Sequence, residues 1–600
     1  MRQRFDTILR ILVVLGGAAT VLVLALISAR LYSPTPASLV YIPKERHESL
    51  TTYDLTGKYS WYEKLESQGE NEIKGFRYEP RAVVVPHDIS ETANISSFFT
   101  KLSLGENKPR TIVLIGSSPT ESSFLLSNTK GLWKTPFGAV RQERRLTDIL
   151  VDKKIVGIDD EQFENEWPAD ALIPFVARDF TGSRIVPIGI STSTPFSALE
   201  ELAEQISKEE SVLVVASVDF YHGDDPLYAY LKDMVSWSYL ASAGAEDFSG
   251  LSSDGDAILY FLKLYTEIKG ASHFRLVERT SRDVASEPFT THLYGTFSGE
   301  SLEEYEKAPV ILLIAGDVML DRRVDEIFKS IGKENMFGKI KEFADGADLF
   351  IFNHEGTFPD LDMPQTLTSL LFSFRKPAVE ALKWAGFTTA GLANNHSWNF
   401  GESVYEQTKK NLIDMGFEIF GTPKKDATDD DVLVKEINGL SFTFFGHHDF
   451  GGSVEETTGL LRDNASTSSL DILYVHWGNE YQPKSSARQK RLAREFFKAG
   501  ADIIVGHHPH VVQPYEEIGG KIVFYSLGNF IFDQAWSEET QHGLLLAAFV
   551  FDDRVVILPY PTTSKSSIPL VEHTSLLDNA SFYPGYEDFE NIELKRAIAQ

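Results

Sequence analysis

The stretch ADIIVGHHPH, residues 501–510, ends an apolar run in three histidines, His507, His508 and His510. A run of this kind suits a strand buried on both faces of a largely parallel sheet, and residues just past the carboxyl end of such a strand lie where these sheets bind ligands. On either side of it the same pattern recurs, in VILLIAGD (310–317), ADLFIFNHE (347–355), TTAGLANNH (388–396), LSFTFFGHH (440–448), DILYVHWG (471–478) and KIVFYSLGN (521–529). In nearly every case the apolar run closes on Asp, Asn, Glu or His, so donor side chains are expected to converge at one end of an α/β fold.

Asp317, Glu355, Asn395, His476, His508 and His510 end or closely follow these segments. Mixed oxygen and nitrogen donors without thiolate suit Mn, Fe, Zn or a similar divalent ion. Two such ions about 3.5–4 Å apart clamp a phosphate ester and supply a nucleophile. His396, beside the set, is the candidate general acid. His447, His448 and His507 are read as structural.

Six hundred residues exceed what one hydrophobic core supports, so two large domains are expected. The formal net charge of -29 disfavours a nucleic-acid partner, because phosphate neutralisation by Lys and Arg supplies most non-specific affinity for nucleic acid. The chain has no cysteine, which excludes disulfides, thiolate-bound zinc, iron–sulfur clusters and thiol nucleophiles.

The motifs GDVMLDR (316–322), NHEGTF (353–358), FRKP (374–377), LANNHSWNFG (392–401), HWGNEY (476–481), GHHPHVVQPYE (506–516) and YSLGNFIFDQ (525–534) resemble, in order, those of the CapA-like (poly-γ-glutamate capsule) branch of the calcineurin-like metallophosphoesterases. The resemblance implies a two-sheet sandwich flanked by helices. It makes Asp317 a ligand of one divalent ion, Glu355 the bridging carboxylate, Asn395, His476 and His508 ligands of a second ion, and His510 a further ligand of the first. His396 becomes the acid and Asn529 a residue near the substrate. Arg375 is either a packing arginine or a bidentate holder of phosphate or carboxylate. Met319 stands where the superfamily has a metal-ligating histidine, and Asn399 where this branch often has Asp. One or two ions therefore remain open.

An earlier series, RAVVVPH (81–87), RTIVLIGS (110–117), RIVPIGI (184–190) and SVLVVASVDF (211–220), reads as a first α/β domain. Its pieces VVPHD (84–88), VLIGSSP (113–119), TPFG (135–138), ALIPFV (171–176) and SVDFYH (217–222) resemble the Memo-like family, the B component of the AmmeMemoRadiSam group, related in fold to metal-dependent ring-cleaving dioxygenases. The family's histidine pair is replaced by Ser118, Pro119 and Thr120, and Trp167 replaces another histidine. His87, Asp219 and His222 survive, an incomplete set that implies a binding or scaffolding module with a vestigial site; the alternative is a remodelled metal site using His87 and His222.

Residues 11–29 carry no charge and nearly span a hydrocarbon core of about 30 Å. Arg2, Arg4 and Arg10 precede them, which predicts a single-pass anchor in the cytoplasmic membrane with residues 1–10 inside and the bulk outside. The competing reading is a cleaved signal peptide, against which Ile27 is a poor small-residue partner for Ala29. The expected organisation is then a stalk over 30–80, the Memo-like domain over 81–297, a linker over 298–308, the CapA-like domain over 309–560 and a C-terminal segment over 561–600.

The leading reading is a metal-dependent hydrolase acting on a phosphoester or related bond in an envelope polymer or its precursor, and the CapA-like resemblance further implies a link to poly-γ-glutamate or another capsule polymer and to capsule-synthesis partner proteins. The alternative is a metal-stabilised accessory protein that binds an acidic polymer during assembly or export.

Overall fold

The computed structural model describes residues 52–54 and 74–595, apart from 119–124, 129–130, 161–162, 164–166, 245–249, 284–287, 301–304, 364, 467 and 587–590. The N-terminal half contains β1 (Ala82–Val85), β2 (Thr111–Ser117), β3 (Arg184–Ile190), β4 (Val212–Ser217), helix α1 (Pro226–Ala241), β5 (His273–Arg282) and β6 (Phe289–Ser298). Strands β3, β2, β4 and β1 lie side by side and parallel, and β6 closes the row antiparallel with β5 beyond it. Alternate residues face opposite ways, as the two-residue period of a strand requires. Val84, Val113 and Val214 pack with Leu202 and Leu259 on one face, and Val83, Ile112 and Val215 pack with Phe98, Phe99 and Phe175 on the other.

The C-terminal half contains β7 (Val310–Val318), helix α2 (Arg322–Ala344), β8 (Leu349–His354), β9 (Thr389–Gly391), β10 (Leu440–His448), β11 (Ser469–His476), β12 (Ile503–His507), β13 (Lys521–Leu527), β14 (Asn529–Ile531), β15 (His542–Val550), β16 (Arg554–Thr563) and β17 (Ile592–Lys595). One sheet runs β9-β8-β7-β15-β16, with β14 against the end of β7 and β17 on β16. A second runs β10-β11-β12-β13, all parallel. Every residue of β7 is buried because both its faces are covered. Ile311, Leu313 and Ala315 point at Phe337 and Phe343 of α2, while Val310, Leu312 and Ile314 point at Phe442, Ile472 and Ile503 of the second sheet. That alternation makes the two-sheet sandwich. The C-terminal segment packs on it, since β17 pairs with β16 and Tyr583 and Tyr586 are buried.

The two halves share one core. Leu231, Met234, Val235 and Trp237 of α1 belong to the same hydrophobic cluster as Ile311, Phe337 and Phe549. Tyr228 stacks on Phe343 at 5.4 Å, and Tyr230 meets Phe549 edge-on at 5.1 Å. Asp225 caps α1 through the backbone N–H groups of Leu227 and Tyr228. The same carboxylate accepts from the Thr574 N–H at 2.8 Å and the Thr574 hydroxyl at 2.7 Å.

The membrane reading needs correction. Residues 11–29 lie outside the described residues, and among the described residues no helix is long and apolar enough to cross a membrane. The longest of these, α2, has 23 residues but carries charge along its length, with a break at Gly332. The single-pass anchor, the inside-to-outside topology and the membrane as a partner are therefore withdrawn.

Trp237→Ala empties a site that is 4% exposed at the junction of the halves. It is expected to cost about 3–5 kcal/mol and to leave one unfolding transition, with the two halves melting together. Urea denaturation followed by far-UV circular dichroism and by tryptophan fluorescence checks this; two separated transitions in the parent chain would show the halves to be independent.

Candidate metal centre

Strand register gathers the donors. Asp317 on β7 lies opposite Asn353 of β8 on one side and Asn529 of β14 on the other. In the second sheet His448, His476 and His507 stand in one row across β10, β11 and β12. Gly316 permits the close approach of β14, because a Cβ there would meet the Gly528 carbonyl oxygen at 2.1 Å. The two polar rows then meet across the sandwich. Asn353 Nδ2 donates to Asp317 Oδ1 at 2.8 Å and stands 3.4 Å from His476 Nδ1.

The turn after β12 supplies the remaining imidazoles at a conformational cost. His508 and His510 have φ of 92° and 58°, in the left-handed region that non-glycine residues avoid. His508 also precedes Pro509, a position that ordinarily favours extended backbone. Such residues cost roughly 1–3 kcal/mol each and persist only where the surroundings hold them. Here the His508 N–H donates to Asp317 Oδ2 at 3.3 Å, and the Tyr481 N–H donates to the Pro509 carbonyl at 2.8 Å. His508 Nδ1 comes within 3.1 Å of His476 Nε2. His510 Nδ1 lies 2.9 Å from Asn529 Oδ1 and 3.3 Å from Asp317 Oδ2, which leaves Nε2 facing Glu355 Oε1 at 3.7 Å.

Glu355 and His396 complete the cluster. The Asn394 side chain ties its turn to β8, donating to Asn353 Oδ1 at 3.0 Å and to the His354 carbonyl at 2.9 Å. Asn394 Oδ1 accepts the His396 N–H at 3.0 Å, and His396 Nδ1 lies 3.1 Å from Asn399 Oδ1. Phe372 stacks on the ring at 4.2 Å, and His396 Nε2 stands 3.7 Å from Glu355 Oε1.

Charge in this cluster is unbalanced. Burial opposes ionisation of Asp317, but the imidazoles of His507 and His510 outweigh it and hold the carboxyl well below the usual range. Burial, reinforced by the Asp317 carboxylate, pushes Glu355 well above its usual range. Burial works against a charge on His510, yet Glu355 and Asp317 raise it to about 9. Burial pushes His396 down to about 4 and His508 to about 3, with the charge of His510 as a further cause at both.

These donors fit a cation. Ligand atoms of Asp317, Glu355 and His510 all lie within 4.8 Å of one another, as do those of Glu480, His508 and His510. Glu355 is wholly buried, yet neither of its carboxylate oxygens has a hydrogen-bond partner, and Asn395 Oδ1 is likewise buried without one. A buried carboxylate left unpaired is costly, and a cation removes that cost.

The anticipated donors Asp317, Glu355, Asn395, His476, His508 and His510 thus sit at the same strand ends, with His396 beside them. Arg375 grips Asp325 with contacts of 2.8, 2.9 and 2.5 Å. Asn529 is wholly buried, and its amide group donates to Gln534 Oε1 and the Thr540 carbonyl, so it orients His510. One further donor, and two neighbouring histidines read as structural, were not placed by sequence reasoning. Glu480 joins a donor group from an exposed loop. His507 Nδ1 lies 3.3 Å from Asp317 Oδ1 but off the hydrogen-bond direction, and neither of its ring nitrogens has a hydrogen-bond partner. His448, also buried with both ring nitrogens unpartnered, has its ring 6.0 Å from that of His476. The in-register ends of β10 to β12 are the signal that could have found the last two.

In the N-terminal half, His87 Nε2 lies 3.2 Å from Asp254 Oδ2 and 3.4 Å from Asp219 Oδ2. Burial opposes a charge on His87, but Asp219 and Asp254 raise it to about 9. Asp219 also belongs to a second donor group with Asp88 and His292. His222 is in neither group; it is exposed and stands 3.3 Å from the Thr290 hydroxyl. Asp88, although it closes the motif VVPHD, was not anticipated as a donor, and Asp254 and His292 come from outside the matched motifs.

The family model described as bacterial capsule synthesis protein PGA_cap matches residues 311–534, and that of the Memo-like protein matches residues 57–250. The chain is 30% identical over 303 residues to the capsule biosynthesis protein CapA of Bacillus anthracis, covering 46% of this chain and 73% of that protein. It is 31% identical over 253 residues to the PGA biosynthesis protein CapA of Bacillus subtilis (strain 168), covering 38% of this chain and 65% of the relative. A MEMO1 family protein of Sulfurisphaera tokodaii is 29% identical over 155 residues, covering 24% of this chain and about half, 53%, of that relative. Register, donor set and relatives converge: the chain belongs to the bacterial capsule synthesis protein family PGA_cap and carries a Memo-like domain ahead of that region.

Proposed function

We propose that this protein is a metal-dependent phosphoester hydrolase that acts on a cell-envelope polymer or its precursor. The observation that carries the reading is Glu355, wholly buried with two unpartnered oxygens, facing Asp317 and His510 at the ends of converging strands. Asp317, Glu355 and His510 would hold one divalent ion, and Asn395, His476 and His508 a second. Divalent ions bound there would polarise a phosphoryl group and make water acidic enough to react near neutral pH.

The protein's own groups orient the ester and move protons. His396 is fixed by Asn399 at Nδ1 and by Phe372 on its face, which leaves Nε2 for the departing oxygen. Burial keeps the free ring neutral, with its value near 4, and an arriving phosphate favours the protonated form by adding negative charge beside it. Asn529 and Asp317 share Nδ1 of His510, so that ring presents Nε2 inward.

A second reading, a non-catalytic accessory role in assembly or export of an acidic polymer, is favoured by Met319. Its buried thioether accepts the Asp321 N–H at 3.0 Å where the superfamily places a ligand.

Two predictions test this site, the first of which separates the readings. His396→Ala is expected to lower hydrolysis of bis(p-nitrophenyl) phosphate by about 10²–10⁴-fold while keeping its metal, and Asp317→Ala to lose metal as well. Turnover with Mn, Fe or Zn alongside elemental analysis checks this; parent-like turnover in both variants would sink the hydrolase. The second concerns Glu355, whose raised value means that its contribution favours folding at low pH and is lost as pH rises above the ordinary glutamate range. Metal-free Glu355→Gln should therefore be more stable than the parent at pH 7, by on the order of 1 kcal/mol, with the gap closing towards pH 4. Thermal unfolding in chelator reads the gap, and added Mn should raise the melting temperature of the parent far more than that of the variant.

A further inference from the structure

Large exposed apolar side chains collect in the loops that surround the donor cluster. Leu370 is 75% exposed, Trp536 64% and Phe450 53%, and Leu371 and Tyr481 are also exposed. Isolated exposed apolar residues are ordinary, but a group of them around a polar site marks a ligand surface. Phe450 packs on His508 at 4.4 Å. Tyr481 stands beside His510 with ring centres 6.2 Å apart and planes inclined by 30°, and meets Trp536 edge-on at 5.9 Å. Leu370 and Leu371 lead directly into Phe372, which covers His396.

These loops are held in place. The guanidinium of Arg322 lies over the Phe372 ring at 4.8 Å, donates to the Ser369 carbonyl at 2.9 Å and pairs with Asp533. It therefore ties the leucine-bearing loop to the loop that carries Trp536. Tyr481 adopts a left-handed backbone with φ of 61°, a strained conformation that fixes its ring beside His510.

We propose, building on the phosphoester reading above, that the substrate is a phosphoester bearing a hydrocarbon chain, with its phosphate at the donor cluster and its chain on Leu370, Leu371, Phe450, Tyr481 and Trp536. Charge argues for this occupant over a polyanion. The chain carries a formal net charge of -29, the cluster itself holds Asp317, Glu355 and Glu480, and exposed Asp360 and Asp362 stand on the leucine loop. A stretch of polymer carboxylates would meet like charge there. The leucines argue for a hydrocarbon over a sugar, because an aliphatic surface leaves sugar hydroxyls without partners.

The test is calorimetric titration of the Mn-loaded full chain with methyl phosphate, octyl phosphate below its micelle concentration, and glucose 1-phosphate. Octyl phosphate is expected to bind about 100-fold more tightly than methyl phosphate, the gain from burying a few methylenes. The exposed double variant Leu370→Ser/Leu371→Ser, and separately Trp536→Ala, should each cut that advantage about 10-fold and leave methyl phosphate unchanged. Equal affinity for octyl and methyl phosphate overturns the hydrocarbon assignment and leaves the phosphoester site standing. Tighter binding of glucose 1-phosphate than of octyl phosphate overturns it in favour of a sugar. Failure of all three to bind overturns the phosphoester reading itself, and this assignment with it.

Discussion

The buried carboxylate of Asp317 is the point on which the C-terminal half turns. It accepts from Asn353 of its own sheet and from the His508 N–H, and it faces His507 and His510 from the opposing sheet. An uncompensated charge at that depth would be costly, so the sandwich has to close with both polar rows in register to satisfy it. The left-handed backbone of His508 and His510 follows from this constraint, since the turn after β12 must bend against its local preference to bring donors to Asp317 and Glu355. Strain, burial and charge imbalance therefore fall on the same few residues.

Much of this was legible in the sequence. The strand bodies read as apolar runs, and the side chains ending them named most of the cluster, because a strand fixes where its last residue points. What was not legible depends on distance between segments. Glu480 follows β11 in a loop whose path is set by the Tyr481 contact with Pro509. His507 looked structural beside His508, and only the pairing of β11 with β12 puts it level with His476. Arg375 could have served a ligand as well as a protein carboxylate, and the choice was made by Asp325 on α2. In the N-terminal half His87 and Asp219 were visible, and Asp88 stood beside His87 unremarked, but Asp254 and His292 arrive from other segments and His222 falls outside both groups. The anchor assigned to residues 11–29 falls outside the described residues, among which no helix is long and apolar enough to cross a membrane.

Helix α1 was also invisible as a junction, since its hydrophobic residues read equally well as one half's own core. Its position explains why a Memo-like fold with an altered ligand set still matters to the whole. Asp225 caps the helix and holds Thr574, while Asp233, wholly buried within it, holds Arg279 and Thr291. The first sheet and the sandwich are thus keyed to one helix, whichever chemistry the first half retains.

This sharing bears on how the chain can be divided. A gene split between α1 and β7 would release one product with a bare apolar helix face and another lacking the part of its core that Trp237 and Leu231 fill. Cutting the chain between α1 and β7 therefore separates packing partners, whatever chemistry the first half retains.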